Sequence, residues 1–94
     1  MSDPRRVSEG ITFDYDANYD VLYLSIGRPV PSYTDDEIDG VLIRRDFETD
    51  RLTGATIIGY RSKTKQFLKK TIPFYVDFAS IDRHIRNRHV RSSG

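Results

Sequence analysis

Ninety-four residues with a formal net charge of +1 bound the chain to one small domain. The absence of cysteine excludes disulfides, zinc–thiolate centres and thiol chemistry, so packing alone must supply stability. Hydrophobic residues make up 37% and charged residues 31%, a thin apolar supply for which self-association is a natural remedy.

The polar opening, residues 1–10, reads as a flexible leader without the apolar stretch of a secretory signal. No apolar run approaches the ~20 residues of a membrane span. A cytoplasmic protein without a membrane partner is therefore expected. Ile11, Phe13 and Tyr15 then alternate with Thr12, Asp14 and Asp16, the period of a half-buried strand. Ala17–Asp20 supplies a turn. Val21–Ile26 is apolar on both alternating sets, which marks a central strand covered on both sides.

Gly27 to Asp39 reads as a long connection, because Pro29 and Pro31 cannot donate to a ladder and Asp35-Asp36-Glu37 is an acidic run. Gly40 restarts the sheet, and Val41–Asp46 forms the third strand. A hairpin loop at Phe47–Arg51 leads to a fourth strand, Leu52–Tyr60. After Tyr60 the period changes. Tyr60, Thr64, Phe67, Leu68 and Thr71 make one helical stripe, which Ser62 is placed to cap and Pro73 must end. Asp77 is placed to cap a second helix with Phe78, Ile81 and Ile85 as its apolar stripe.

The expected class is α+β: a four-stranded antiparallel β-meander over residues 11–60, with one or two C-terminal helices packed on the sheet. Residues 61–91 form a basic helical extension of the same domain, and residues 92–94 fray. The face carrying Phe13, Leu22, Leu24 and Ile26 should be the better buried, since it gathers the most apolar volume. Val21, Tyr23, Leu42 and Tyr60 then need another partner surface, and a homodimer supplies one.

The order and spacing of several landmarks resemble a family of small bacterial and archaeal proteins, domain of unknown function 2283. These are Tyr15-Asp16, Asp20-Val21-Leu22-Tyr23-Leu24, Asp39-Gly40-Val41, Arg45-Asp46, Leu52-Thr53-Gly54 and Ser62-Lys63. The resemblance covers about residues 11–63. It implies a four-stranded antiparallel meander with a helical appendage and no established activity. Members of that family can lie beside small toxin-like genes, which implies an antitoxin or regulatory role. The family core ends soon after the Ser-Lys segment, so the resemblance is silent about the last thirty or so residues.

Three constellations bear on chemistry. Asp14, Asp16, Asn18 and Asp20 have the spacing that opens a calcium loop, but Tyr19 and Ser25 stand where that loop needs Gly and Glu. Asp35, Asp36, Glu37 and Asp39 offer carboxylates to a hard cation, the basis of an alternative reading as a small metal-dependent enzyme. A solvated acidic surface is the simpler account. His84 and His89 are five residues apart, off the spacing of two ligands on one helical face. No nucleophile elbow or Gly-rich phosphate cradle is present, so neither catalysis nor a cofactor is expected.

Charge is distributed unevenly. Residues 1–60 carry six Arg against twelve Asp/Glu, and residues 61–94 carry nine Lys/Arg against Asp77 and Asp82 alone. Lys65, Lys69, Lys70, Arg83, Arg86 and Arg88 make a basic surface that either docks within or between subunits, meets another protein, or neutralises nucleic-acid phosphates. The structural tail is favoured, with Phe67, Leu68, Phe78, Ile81 and Ile85 anchoring it. Arg83, Arg86 and Arg88 would then face acids such as Asp14, Asp16 or Glu37.

Overall fold

The computed structural model describes the backbone of residues 6–8 and 10–93 and the side chains of residues 10–86. The strands are β1 (Arg6–Ser8), β2 (Ile11–Asp16), β3 (Val21–Ile26), β4 (Ser32–Ile38), β5 (Val41–Asp46) and β6 (Leu52–Ile58). A 3-10 turn at Tyr60–Ser62 leads into helices α1 (Lys65–Thr71) and α2 (Phe78–Ser93). All strand pairs are antiparallel, in the order β1-β2-β3-β6-β5-β4.

The α+β class with helices after the sheet matches the expectation, but the four-stranded meander does not. Arg6–Ser8, inside the segment read as a leader, pairs with β2. Ser32–Ile38, inside the segment read as a connection, is an edge strand paired only with β5. Its acids suit an edge, where charge blocks pairing with another chain. Asp39 and Gly40 both have positive φ (49° and 84°), and Ile38 pairs Val41 across them. That is the two-residue hairpin turn an Asp-Gly pair favours.

The strand order also departs from a meander. β6 lies between β3 and β5, because the strands with most apolar residues take the centre and the charged β4 takes the rim. Residues 27–31 must therefore carry the chain past two strands, roughly 14 Å at ~4.8 Å per strand spacing, which an extended chain of that length spans. At Gly54 the β6 backbone passes close to the β3 backbone. A Cβ there would lie 2.0 Å from the Leu24 carbonyl oxygen, so no side chain fits.

The core sits on one face of the sheet. Phe13, Leu24, Ala55 and Ile43 form one row across four strands, and Leu22, Ile57 and Val41 form the next. Leu68, Ile72, Val76, Phe78 and Ile81 close over them, and all of these residues belong to one buried cluster. Phe13, Leu22 and Leu24 are buried as expected, while Ile26 packs against the cluster only in part. The Thr64 hydroxyl, rather than that of Ser62, caps α1 by accepting from the Phe67 amide at 3.1 Å. Ser62 is occupied with the Gly59 carbonyl at 2.8 Å. Asp77 caps α2 as expected, accepting from the Ser80 amide at 3.2 Å and from its hydroxyl at 2.9 Å. Both bonds hold the Asp77 carboxyl below the usual carboxylate range. Among the described residues no helix is long and apolar enough to cross a membrane. The helix α2 includes Ser92 and Ser93 of the segment expected to fray, and Gly94 lies outside the described residues.

Candidate functional site

Alternation along each strand decides what the other sheet face carries. With Phe13, Leu22, Ile57 and Val41 turned to the core, their neighbours Asp14, Tyr23, Thr56 and Leu42 turn away from it. These four are in register as one row across β2, β3, β6 and β5. The adjacent row holds Asp16, Val21 and Ile58. On the other side, Thr12, Ser25, Gly54 and Arg44 form a third row. Tyr23 is 44% exposed and Ile58 48% exposed, and Val21 and Leu42 are half-buried by their neighbours in the sheet. The result is an apolar strip with carboxylates on β2 and a guanidinium on β5.

Of the four residues expected on this face, Val21, Tyr23 and Leu42 lie there and Tyr60 does not. Tyr60 is 1% exposed in the core. Two-residue alternation continued from Thr56 and Ile58 points to Tyr60, but Gly59 is left-handed (φ 73°) and swings the next side chain to the opposite face. Ile58 is the residue that sequence reasoning missed, and the same alternation already contained it.

Around Tyr60 a second feature forms, a cleft between the β2–β3 turn and α2. Phe13, Tyr15 and Ile85 contribute apolar wall, and Arg61, Lys65 and Arg86 line it together with Asp14, Asp16 and Asp82. The Tyr60 hydroxyl donates to Asp82 at 2.7 Å, and Lys65 Nζ lies 3.0 Å from the other Asp82 oxygen and 5.0 Å from the Tyr60 ring centre. Burial, then the bond to Asp82, pushes the Tyr60 phenol well above its ordinary range. Tyr15 donates to Asp20, and burial followed by that bond pushes its phenol up to about 12. Asp20 also accepts from the Arg61 amide at 3.1 Å, which ties the turn to the start of the helical segment. These phenols hold their protons, and each carboxylate they touch is already engaged. The cleft is a charge-balanced clamp.

The remaining candidates are placed as follows. Asp14 lies on the open face, while Asp16 caps the β2–β3 turn by accepting from the Asn18 and Tyr19 amides. Asp20 takes the left-handed position of that turn (φ 55°). Asp35 pairs with Arg45 at 2.9 Å and Asp36 accepts from the Glu37 amide, so these acids are spread along an edge strand rather than gathered in a loop. Among the described residues, no three His, Cys, Asp or Glu side chains converge as a metal site. The His84 ring stands edge-on to Phe13 at 5.2 Å, and His89 lies outside the described side chains. Arg83 donates to Ser80 at 3.1 Å instead of meeting Asp14, Asp16 or Glu37. Arg86 lines the cleft without an ion pair among the described residues, and Arg88 lies outside them. No family model, curated protein or solved structure matches the chain.

Proposed function

We propose that the protein is a non-catalytic interaction module that works as a homodimer through the open face of its sheet. The observation that carries this is the strip of Val21, Tyr23, Leu42 and Ile58, left uncovered while both helices pack on the other face. Contiguous exposed apolar surface rimmed by charge is the usual mark of an interface. A regulatory role without chemistry accords with what the resemblance to domain of unknown function 2283 implies.

The charges favour a second copy as the occupant, in one arrangement. Two sheets stack roughly 10 Å apart with their strands nearly aligned. A two-fold axis parallel to the strands, lying between β3 and β6, lays β3 of one copy on β6 of its partner and β2 on β5. Tyr23 then meets Thr56 and Val21 meets Ile58. Asp14 then lies over Leu42, one alternation step along β5 from Arg44, so the acidic rim of one copy comes beside the cation of the other. An axis perpendicular to the strands would instead stack Asp14 near Asp14.

Light scattering at about 100 µM should return twice the chain mass of 10.9 kDa. Tyr23→Ala and Ile58→Ser should each weaken association at least tenfold and leave the helical signal of the monomer intact. Asp14→Arg should also weaken it, and adding Arg44→Asp should restore it. A monomeric mass for the unaltered chain rejects the reading.

A further inference from the structure

We propose that the outward side of α1 and α2 binds the phosphate backbone of nucleic acid without reading its bases. In α2, Phe78 and Ile81 are buried while Ala79, Arg83 and Arg86 are exposed, so both arginines lie on the outward stripe. In α1, Leu68 is buried while Lys69 and Lys70 are exposed. The Lys65–Asp82 bridge, 3.0 Å long, brings the two helices together at that point. Lys69 lies one turn beyond Lys65, Arg83 directly follows Asp82, and Arg86 lies one turn beyond it. Lys69 and Arg86 therefore flank the bridge at roughly 6 Å steps along their helices, and Arg83 is the residue after Asp82.

The choice of partner rests on an asymmetry in how charges are used. Most acids are engaged within the chain: Asp16, Asp36, Asp46 and Asp77 by backbone amides. Asp20 and Asp50 accept from tyrosines, and Asp35 and Asp82 are in ion pairs. Among the described residues the only ion pairs are Arg45–Asp35 and Lys65–Asp82. Lys69, Lys70, Arg83 and Arg86 thus make no ion pair there, although Arg83 lies close enough to Asp77 to help hold its carboxyl below the usual range. A second copy offers them few unengaged acids, whereas a nucleic-acid backbone offers evenly spaced anions in excess. Of the acids on the open sheet face, Asp14 and Asp16 also line the cleft beside Arg86, so the surface proposed for the ligand runs along the helices away from that cleft. In the proposed dimer both helical layers point outward. The surface is nonetheless complete in one copy and does not depend on the dimer.

Fluorescence anisotropy of fluorescein-labelled 20-mer DNA, single- and double-stranded and of mixed sequence, tests this with the full chain. About four phosphates neutralised per copy predict that affinity falls on the order of 10²-fold between 50 and 200 mM salt. Lys69→Glu combined with Arg86→Glu should lose at least tenfold at 50 mM and flatten the salt dependence. Both sites are exposed, and an unchanged melting curve confirms that the variant is folded. Two unrelated sequences should bind equally. No binding at 50 mM, or binding that the paired substitution leaves unchanged, would overturn the proposal. Equal or tighter binding of poly-glutamate or of phosphatidylserine vesicles at the same salt would overturn it too, in favour of an acidic protein or a membrane surface. A monomeric chain that binds DNA supports this surface while refuting the dimer, and a dimer that does not bind refutes this surface alone.

Discussion

The two faces of the sheet are built from the same strands, one residue out of phase, yet they have opposite fates. One face sends Phe13, Leu22, Leu24, Ile43 and Ile57 under the helices, with none more than 5% exposed. The other sends Val21, Tyr23, Leu42 and Ile58 outward, with Tyr23 and Ile58 close to half exposed. The difference does not come from hydrophobicity alone, since both sets are apolar. It comes from supply: the described residues form two α-helices, and both contribute to a single core cluster. A short chain can cover one sheet face by itself and leaves the other open.

That contrast breaks most completely if the cover is removed. Deleting residues 61–94 uncovers Leu22, Ile57 and Val41 together, and the cooperative urea transition should vanish at any salt. Ion pairs worth about 0–1 kcal/mol each cannot replace the apolar contacts of Leu68, Phe78 and Ile81. Leu22→Ala, at 0% exposure, should cost about 3 kcal/mol in the same assay. Gly54→Ala should cost a similar amount, because its methyl group would drive the central strands β3 and β6 apart.

Smaller effects sharpen the comparison. Tyr60→Phe removes a hydrogen bond to Asp82 and should cost about 1 kcal/mol at neutral pH. The pH dependence has a definite sign. Phenols whose folded-state pKa lies above the ordinary 10.0 stabilise fully below that value and lose the contribution as pH rises through the folded-state value, about 12 for Tyr15. The unaltered chain should therefore weaken between pH 10 and 12, and Tyr60→Phe should weaken less over that range. Tyr23→Ala, on the open face, should change monomer stability by no more than about 0.5 kcal/mol while it weakens association. If Tyr23→Ala instead cost as much as Leu22→Ala, the two faces would not differ as described.

Much of this was legible in the chain. Period-2 alternation located β2, a two-sided apolar run located β3, and the turns around Gly40 and Phe47–Arg51 located β5 and β6, while the apolar volume of Phe13, Leu22 and Leu24 marked their face as the core. Asp77 announced α2, because its carboxylate can reach the amide of Ser80 three residues on. The acids and prolines before Gly40 masked β4 and with it the Asp39-Gly40 hairpin. An edge strand is the one place where sequence chemistry resembles that of a loop.

Other features needed the third dimension. That β6 enters between β3 and β5 depends on the competition of all strands for the centre of the sheet, which no local window contains. Tyr60 left the open face because one left-handed residue, Gly59, broke an alternation that was sound up to Ile58. The acids and cations were countable from the start, but which of them were already engaged depends on distances of about 3 Å between residues far apart in sequence. The sequence by itself determined the class, the strand faces and the surplus of cations after residue 60. Tertiary structure alone decided the strand order, the burial of Tyr60 and which charges remain for a partner, because each depends on packing between distant segments.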